Sequence, residues 1–372
     1  PYVRPSITTL NEVAAHAGVT PATVSTVLRP RGRVGAATRE RVLHAVKELG
    51  YRPHLAARAL AEGRAPTFAL MVSSIANPFY PEFTLAAERA ARTSGHFLIV
   101  CNTNDDQETG RAYLEQIAGT LSEGVLVTNA ELVFDDLRAT AERGTPVVLC
   151  MWERPDDPPG LPCVAVDFRL AGALAAQHLL ELGHTRVGAL VGSKSSHDDL
   201  SPFGIHGARR DGFVERFNAA GNARIVAEVI CEADTIRGGY DAARQLLKAH
   251  PEVTALYATN DLPALGAMHA AADMGLSVPD DLSVVGITDI QLARESRPAL
   301  STVAVPTEEA ARMAVDLLRE LIDRAPRASR GNPGTTGTPP MRVTSAPVMV
   351  PRASTAPPRT QDQRTRSSLR RR

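Results

Sequence analysis
The chain has 372 residues, 41 Lys/Arg against 41 Asp/Glu, four cysteines and only 4% aromatic residues, enough length for a small head and two α/β domains. No apolar run reaches about 18 residues and no signal peptide opens the sequence, so a membrane span is excluded and a cytoplasmic protein is expected. Residues 1–64 carry ten Lys/Arg and four Asp/Glu, residues 347–372 carry seven Arg and one Asp, and 24 basic face 36 acidic residues between them: a basic end on an acidic body, the footprint of a protein that places that end on phosphates.

The first element reads as two short helices around a turn. Thr9 and Glu12 have capping-box spacing, and Val13, Ala14 and Ala17 share a face. Gly18 supplies the turn, and Thr20 with Pro21 opens a second helix. Val24, Val27 and Leu28 point inward, which leaves Ala22, Thr23, Ser25, Thr26 and Arg29 outside. Such a short polar face fits a DNA major groove, although these residues alone also suit an ordinary helical hairpin. A third helix follows from Val34 to Gly50, with Val42, Leu43, Val46 and Leu49 as its buried side.

The order A-x-x-A-G-V-T-x-A-T-V-S-x-V-L (from Ala14), T-R-E-R-V (Thr38–Val42), E-L-G-Y-x-P (Glu48–Pro53) and A-R-x-L (Ala57–Leu60) resembles the LacI/GalR family of bacterial transcription regulators. From Thr67, apolar strand-like runs alternate with helical ones, which means parallel sheets covered on both faces. The alternation restarts after Pro162. The segments Ala76–Tyr80, Val166–Gly172, Ala258–Asp261 and Val278–Gly286 resemble the type I periplasmic-binding-protein cores of that family. The expected class is therefore α/β: a helix-turn-helix three-helix head plus a two-domain, doubly wound parallel-sheet core. The expected boundaries are a head over 1–50, a hinge over 51–65, one subdomain from 66–162 and 291–350 with a flexible insertion at 324–340, a second over 163–290, and a disordered basic tail over 351–372.

The resemblance implies a role for each residue of the head. Thr20, Thr23, Ser25 and Thr38 fall where relatives hold phosphates; Pro21, Ala22 and Thr26 fall on base-reading positions. Many relatives carry arginine where this chain has Thr26, so direct readout by this helix is expected to be weak. Arg29, Arg31 and Arg33 suit phosphate or base contact, and His54 begins an alanine-rich hinge too short for a stable isolated helix. Leu60 occupies the position of the family's minor-groove wedge. Two wedges imply a homodimer on pseudo-palindromic double-stranded operator DNA.

Ligands of open α/β sheets bind beyond the carboxyl ends of the strands, here in the cleft between subdomains. The candidates are Ser73, Ser74, Asn77, Phe79, Asn129, Trp152, Arg209, Asn260 and Asp289. Trp152 stands where relatives stack a ligand ring, and Arg209 matches an arginine aimed at effector hydroxyls or carboxylates. Three positions depart from the family: Met151 and Thr288 replace aspartates, and Val305 replaces a glutamine. A sugar or related metabolite remains the expected effector, with a less hydroxylated ligand or a degenerate site as alternatives. The scattered Cys101, Cys150, Cys163 and Cys231 read as reduced core residues, and His178, His184 and His197 as capping or surface residues. No phosphate-loop, nucleophile-elbow or metal-ligand motif occurs, so neither an enzyme nor a cofactor or metal is expected. A transport receptor of the same core fold would need a signal peptide and no head.

Overall fold
The computed structural model describes residues 8–28, 34–51, 66–128, 134–192, 206–324 and 338–359. They form two compact units, one within residues 1–65 and one within 66–372.

The first unit holds α1 (Leu10–Ala17), α2 (Pro21–Leu28) and α3 (Ala36–Glu48). Thr9 caps α1 reciprocally with Glu12, and Gly18 ends it at φ 61°, a left-handed conformation that costs glycine little. Thr20 Oγ1 accepts from the Thr23 N–H at 3.2 Å and so starts α2. Val13, Ala14, Ala17, Val24, Val27, Val42 and Ala45 make the core, with Val46 and Leu49 partly buried against it. Leu43 departs from expectation: it is 47% exposed, because Ala45 takes the inward position on α3.

The core unit contains two six-stranded sheets. The first has the order β11-β5-β4-β3-β1-β2, built from β1 (Thr67–Val72), β2 (Phe97–Asn102), β3 (Gly124–Thr128), β4 (Val147–Trp152), β5 (Cys163–Ala165) and β11 (Met341–Val343), all parallel. Its helices are α4 (Phe79–Thr93), α5 (Gln107–Ile117), α6 (Phe134–Glu142) and α12 (Thr307–Arg324). The second has the order β12-β10-β9-β8-β6-β7, from β6 (Arg186–Val191), β7 (Arg224–Ile230), β8 (Ala255–Ala258), β9 (Ser283–Thr288), β10 (Ser301–Ala304) and β12 (Val348–Val350). Only β12 runs antiparallel. Here the helices are α7 (Phe168–Glu181), α8 (Gly207–Asn218), α9 (Ile236–Ala249), α10 (Asp261–Asp273) and α11 (Gln291–Glu295). One apolar cluster runs through both subdomains, with Phe68, Phe83 and Leu126 in the first and Phe168, Phe213 and Val285 in the second.

Three expected boundaries move. β5 lies in the first sheet, where Cys163 pairs with Leu149 of β4, so the chain leaves that sheet only after Ala165 and not at Pro162. β10 and β12 belong to the second sheet, so only β11 and α12 of the returning segment join the first. Residues 351–359, expected as disordered tail, pack on the second subdomain. Ser354 is fully buried and donates to the Val284 carbonyl at 2.6 Å, and Arg359 pairs with Asp280 and Asp281. His184 is likewise buried rather than superficial: its ring bonds Thr254, Ser283 and the Ala356 carbonyl, tying strand ends to this segment.

Two glycines set the distance between α7 and α8. A Cβ on Gly172 would overlap the Arg209 carbonyl, and one on Gly212 would overlap the Arg169 carbonyl. Both obstacles are backbone, which cannot swing aside. Gly212→Ala is therefore expected to destabilise the core by about 1–3 kcal/mol through overpacking, read as a lower urea midpoint. A midpoint equal to that of the wild type would show that the helices separate freely.

Candidate functional site
In the head, the start of α2 faces solvent. Pro21 and Ala22 are exposed, while Thr23, Ser25 and Thr26 are partly exposed beside them. Thr20 and Thr23 share a hydroxyl–hydroxyl bond of 3.0 Å, and Thr26 donates to the Ala22 carbonyl at 2.8 Å. Thr38 lies in the first turn of α3, whose N-cap Gly35 has no side chain to satisfy the leading amides. Neither α2 nor α3 has an acidic residue in its first turn. Two helix N-termini without carboxylates, flanked by hydroxyls, suit phosphate oxygens. Arg29, Arg33, His54 and Leu60 lie outside the described residues, as do Arg31 and, in the core, Asn129.

In the core, the strand ends meet around one buried guanidinium. Arg209 of α8 is 6% exposed. Its Nε and Nη2 donate to Glu153 Oε1 at 2.9 and 2.6 Å, its Nη1 donates to the Thr259 carbonyl at 3.0 Å, and its Cζ lies over the Phe168 ring, 4.0 Å from the ring centre. Glu153 follows β4 in the first subdomain, whereas Arg209 belongs to the second, so this ion pair links the two subdomains. A second bridge is Glu82 of α4, which accepts the Gln291 N–H at 2.8 Å. Asn260 Nδ2 donates to Asp234 Oδ2 at 2.7 Å, and His206 Nε2 lies 3.7 Å from the same oxygen. Burial pushes the Glu153 carboxyl up to about 7 and Asp234 up to about 6, outweighing the attraction of Arg209. Burial, reinforced by Arg209, holds His206 well below the usual imidazole range.

The other expected ligand contacts are dispersed. Trp152 Nε1 donates to the Asp157 carbonyl at 2.9 Å, and its ring stands edge-on to Phe134 with Arg154 over it. The cause is a bulge between Cys150 and Trp152, with Met151 at φ 61°. Regular alternation would put Trp152 on the Cys150 face; the extra residue sends Met151 there and Trp152 to the opposite one. Asp289 pairs with Arg352 at 2.6 Å and Arg294 at 3.6 Å. Ser73 accepts from Tyr80, and Ser74 and Asn77 bond the turn that opens α4. Phe79 packs against apolar residues of both subdomains. Of the candidates, the structure thus groups Arg209 with Asn260. Sequence reasoning missed Glu153, Asp234, His206 and Phe168; the one available signal was a carboxylate immediately after the singled-out Trp152.

Residues 65–337 match the model of periplasmic binding proteins and the sugar binding domain of the LacI family, and residues 9–54 match that of bacterial regulatory proteins of the lacI family. The chain belongs to the LacI family. It is a DNA-binding transcriptional regulator with a periplasmic-binding-protein-like core. A ribose operon repressor of Halalkalibacterium halodurans is 33% identical over 86% of this chain and 92% of its own. The repressor PurR of Serratia proteamaculans is 33% identical over 84% and 90%. A lac repressor dimer bound to operator and the anti-inducer ONPF has the same fold, with a TM-score of 0.79 over 94% of this chain and 99% of that one at 24% identity.

The three departures from the LacI-family pattern all serve packing. Met151 and Val305 join the apolar core, and Thr288, at φ 122°, donates to Asp261 Oδ2 at 3.1 Å. Asp261 is fully buried and also accepts from Thr302 at 2.5 Å and the Ile290 N–H at 3.0 Å. Burial raises its pKa to about 6. A carboxyl raised in the folded state favours folding while protonated, and that contribution is lost as pH rises through about 6. Relative to Asp261→Asn, the wild type should therefore lose stability between about pH 4 and 7, read from urea midpoints across that range. A difference independent of pH would contradict the assignment.

Proposed function
We propose that this regulator is a dimeric repressor that binds a pseudo-palindromic operator through the head and responds to a small uncharged metabolite, such as a sugar, in the core cleft. The observation that carries the DNA reading is the capped α1–Gly18–α2 unit, which leaves Pro21 and Ala22 exposed for base edges and Thr20, Thr23, Ser25 and Thr38 for phosphates. Thr26 spends its hydroxyl hydrogen on the Ala22 carbonyl and retains only acceptor capacity, which fits weak direct readout. The lac repressor structure contains a dimer on operator, and the family model that spans the core is described as sugar binding. These support the dimer and the effector class. Repressor names on the relatives support a non-enzymatic role. A solute receptor of the same fold has no use for a helix-turn-helix head.

The test is selection from random DNA followed by titration against salt. A short palindrome bound by two copies is expected, with affinity falling by roughly 10³-fold or more between about 50 and 200 mM salt through counterion release. A monomer, or a chain with no sequence preference, would overturn the reading.

The hinge is tested separately. Leu60→Ala should weaken specific binding by more than about 1 kcal/mol, because the unstacked base step loses its wedge, and leave non-specific binding nearly unchanged. Equal losses on both DNAs would show that Leu60 is not a wedge.

A further inference from the structure
We propose that Glu153 is a specificity-determining residue: from within the chain it occupies the edge of the Arg209 guanidinium that an anionic ligand would take, so the cleft selects ligands that bring hydrogen-bond donors and no negative charge. The inference rests on the cleft being the effector site.

Arg209 carries five N–H donors in a fixed fork, the group best suited to a carboxylate or phosphate. Here three of its nitrogens are already engaged, two by Glu153 Oε1 and one by the Thr259 carbonyl. Its face lies on Phe168, and it is buried, so water does not compete for it. An arriving anion would have to displace Glu153. It would also meet Asp234 beside the same guanidinium, and at longer range Asp105. His206 is held neutral by burial and gives no compensating charge. Arg154 adds positive charge near Glu153 but lies over the Trp152 ring, 5.2 Å from its centre.

What the site still lacks is donors. Among the described residues, Glu153 Oε2, Asp234 Oδ1 and Asn260 Oδ1 are buried without a hydrogen-bond partner, and all three accept when the two carboxyls are ionised. They come from three different segments: the end of β4, the turn between β7 and α9, and the N-cap of α10. His206 Nδ1 is a fourth atom without a partner among the described residues, and its side chain, like that of Asn260, is more than nine-tenths buried. Buried acceptors without donors are costly, so hydroxyl or amine groups that reach them are favoured over acceptors and anions.

The experiment removes the internal carboxylate and supplies one from solution. Full-length Glu153→Ala is melted without DNA in tens of millimolar sodium acetate, against the same concentration of sodium chloride. The variant should melt at least about 4 °C below the wild type and regain at least about half of that loss in acetate. The wild type should respond equally to both salts, and adding Arg209→Ala to the variant should abolish the acetate response. Glu153→Ser replaces Glu153→Ala where the latter does not fold, with the same expected response. An acetate response in the wild type as large as in the variant, no response in the variant, or a response that survives loss of Arg209 would each overturn the proposal. No DNA or effector enters the measurement, so its failure leaves the operator and effector reading standing, to be judged by its own titration.

Discussion
A buried guanidinium cannot be left without a counter-charge, and Arg209 organises the core around that constraint. Removing a cation from water costs several kcal/mol after relaxation, so its position survives only if other elements converge on it. Four do. Thr259 at the end of β8 offers a carbonyl, Phe168 at the start of α7 offers a ring face, Tyr257 donates its hydroxyl to the Arg209 carbonyl at 3.0 Å, and Glu153 supplies the charge from the other subdomain. The close approach of α7 and α8 at Gly172 and Gly212 sets the backbone from which the side chain projects. Packing, hydrogen bonding and the bridge across the cleft are thus parts of one arrangement.

That arrangement gives the regulatory reading a physical basis. A ligand shifts an equilibrium between cleft forms only by its differential affinity for them. Here the two subdomains already touch through Glu153 with Arg209 and Glu82 with the Gln291 amide, so a ligand between them acts by adding to these contacts or by competing with them. In the head the logic is simpler. Two helix N-termini without acidic residues and a small exposed face ask for a polyanion with readable edges, and the +6 balance of residues 1–64 points the same way.

The head was legible because each of its signals is local. A capping box, a glycine in the left-handed region and a proline at the first helical position act within a few residues, and the helices begin and end on them. The alternation of strands and helices was equally visible. What could not be seen was which sheet a strand joins. Cys163–Ala165 and Ser301–Ala304 are runs of three and four residues, and nothing in such a short run records its neighbour; that depends on where the chain crosses between subdomains. The cleft residues failed for a related reason. The bulge at Met151 reverses the side-chain alternation, so Trp152 turns to Phe134, while the neighbouring Glu153 reaches Arg209. No spacing rule connects Glu153 to a partner 56 positions away.

The central claim is that Glu153 and Arg209 act as one unit across the cleft, and a double-mutant cycle measures that directly. Urea unfolding of the wild type, Glu153→Ala, Arg209→Ala and the double variant gives the coupling free energy. The account predicts coupling of about 2 kcal/mol or more, because Glu153→Ala leaves a buried guanidinium without its partner, a cost that the double variant does not carry. Additive losses, within about 0.5 kcal/mol, would mean the two side chains are merely neighbours and would contradict the account.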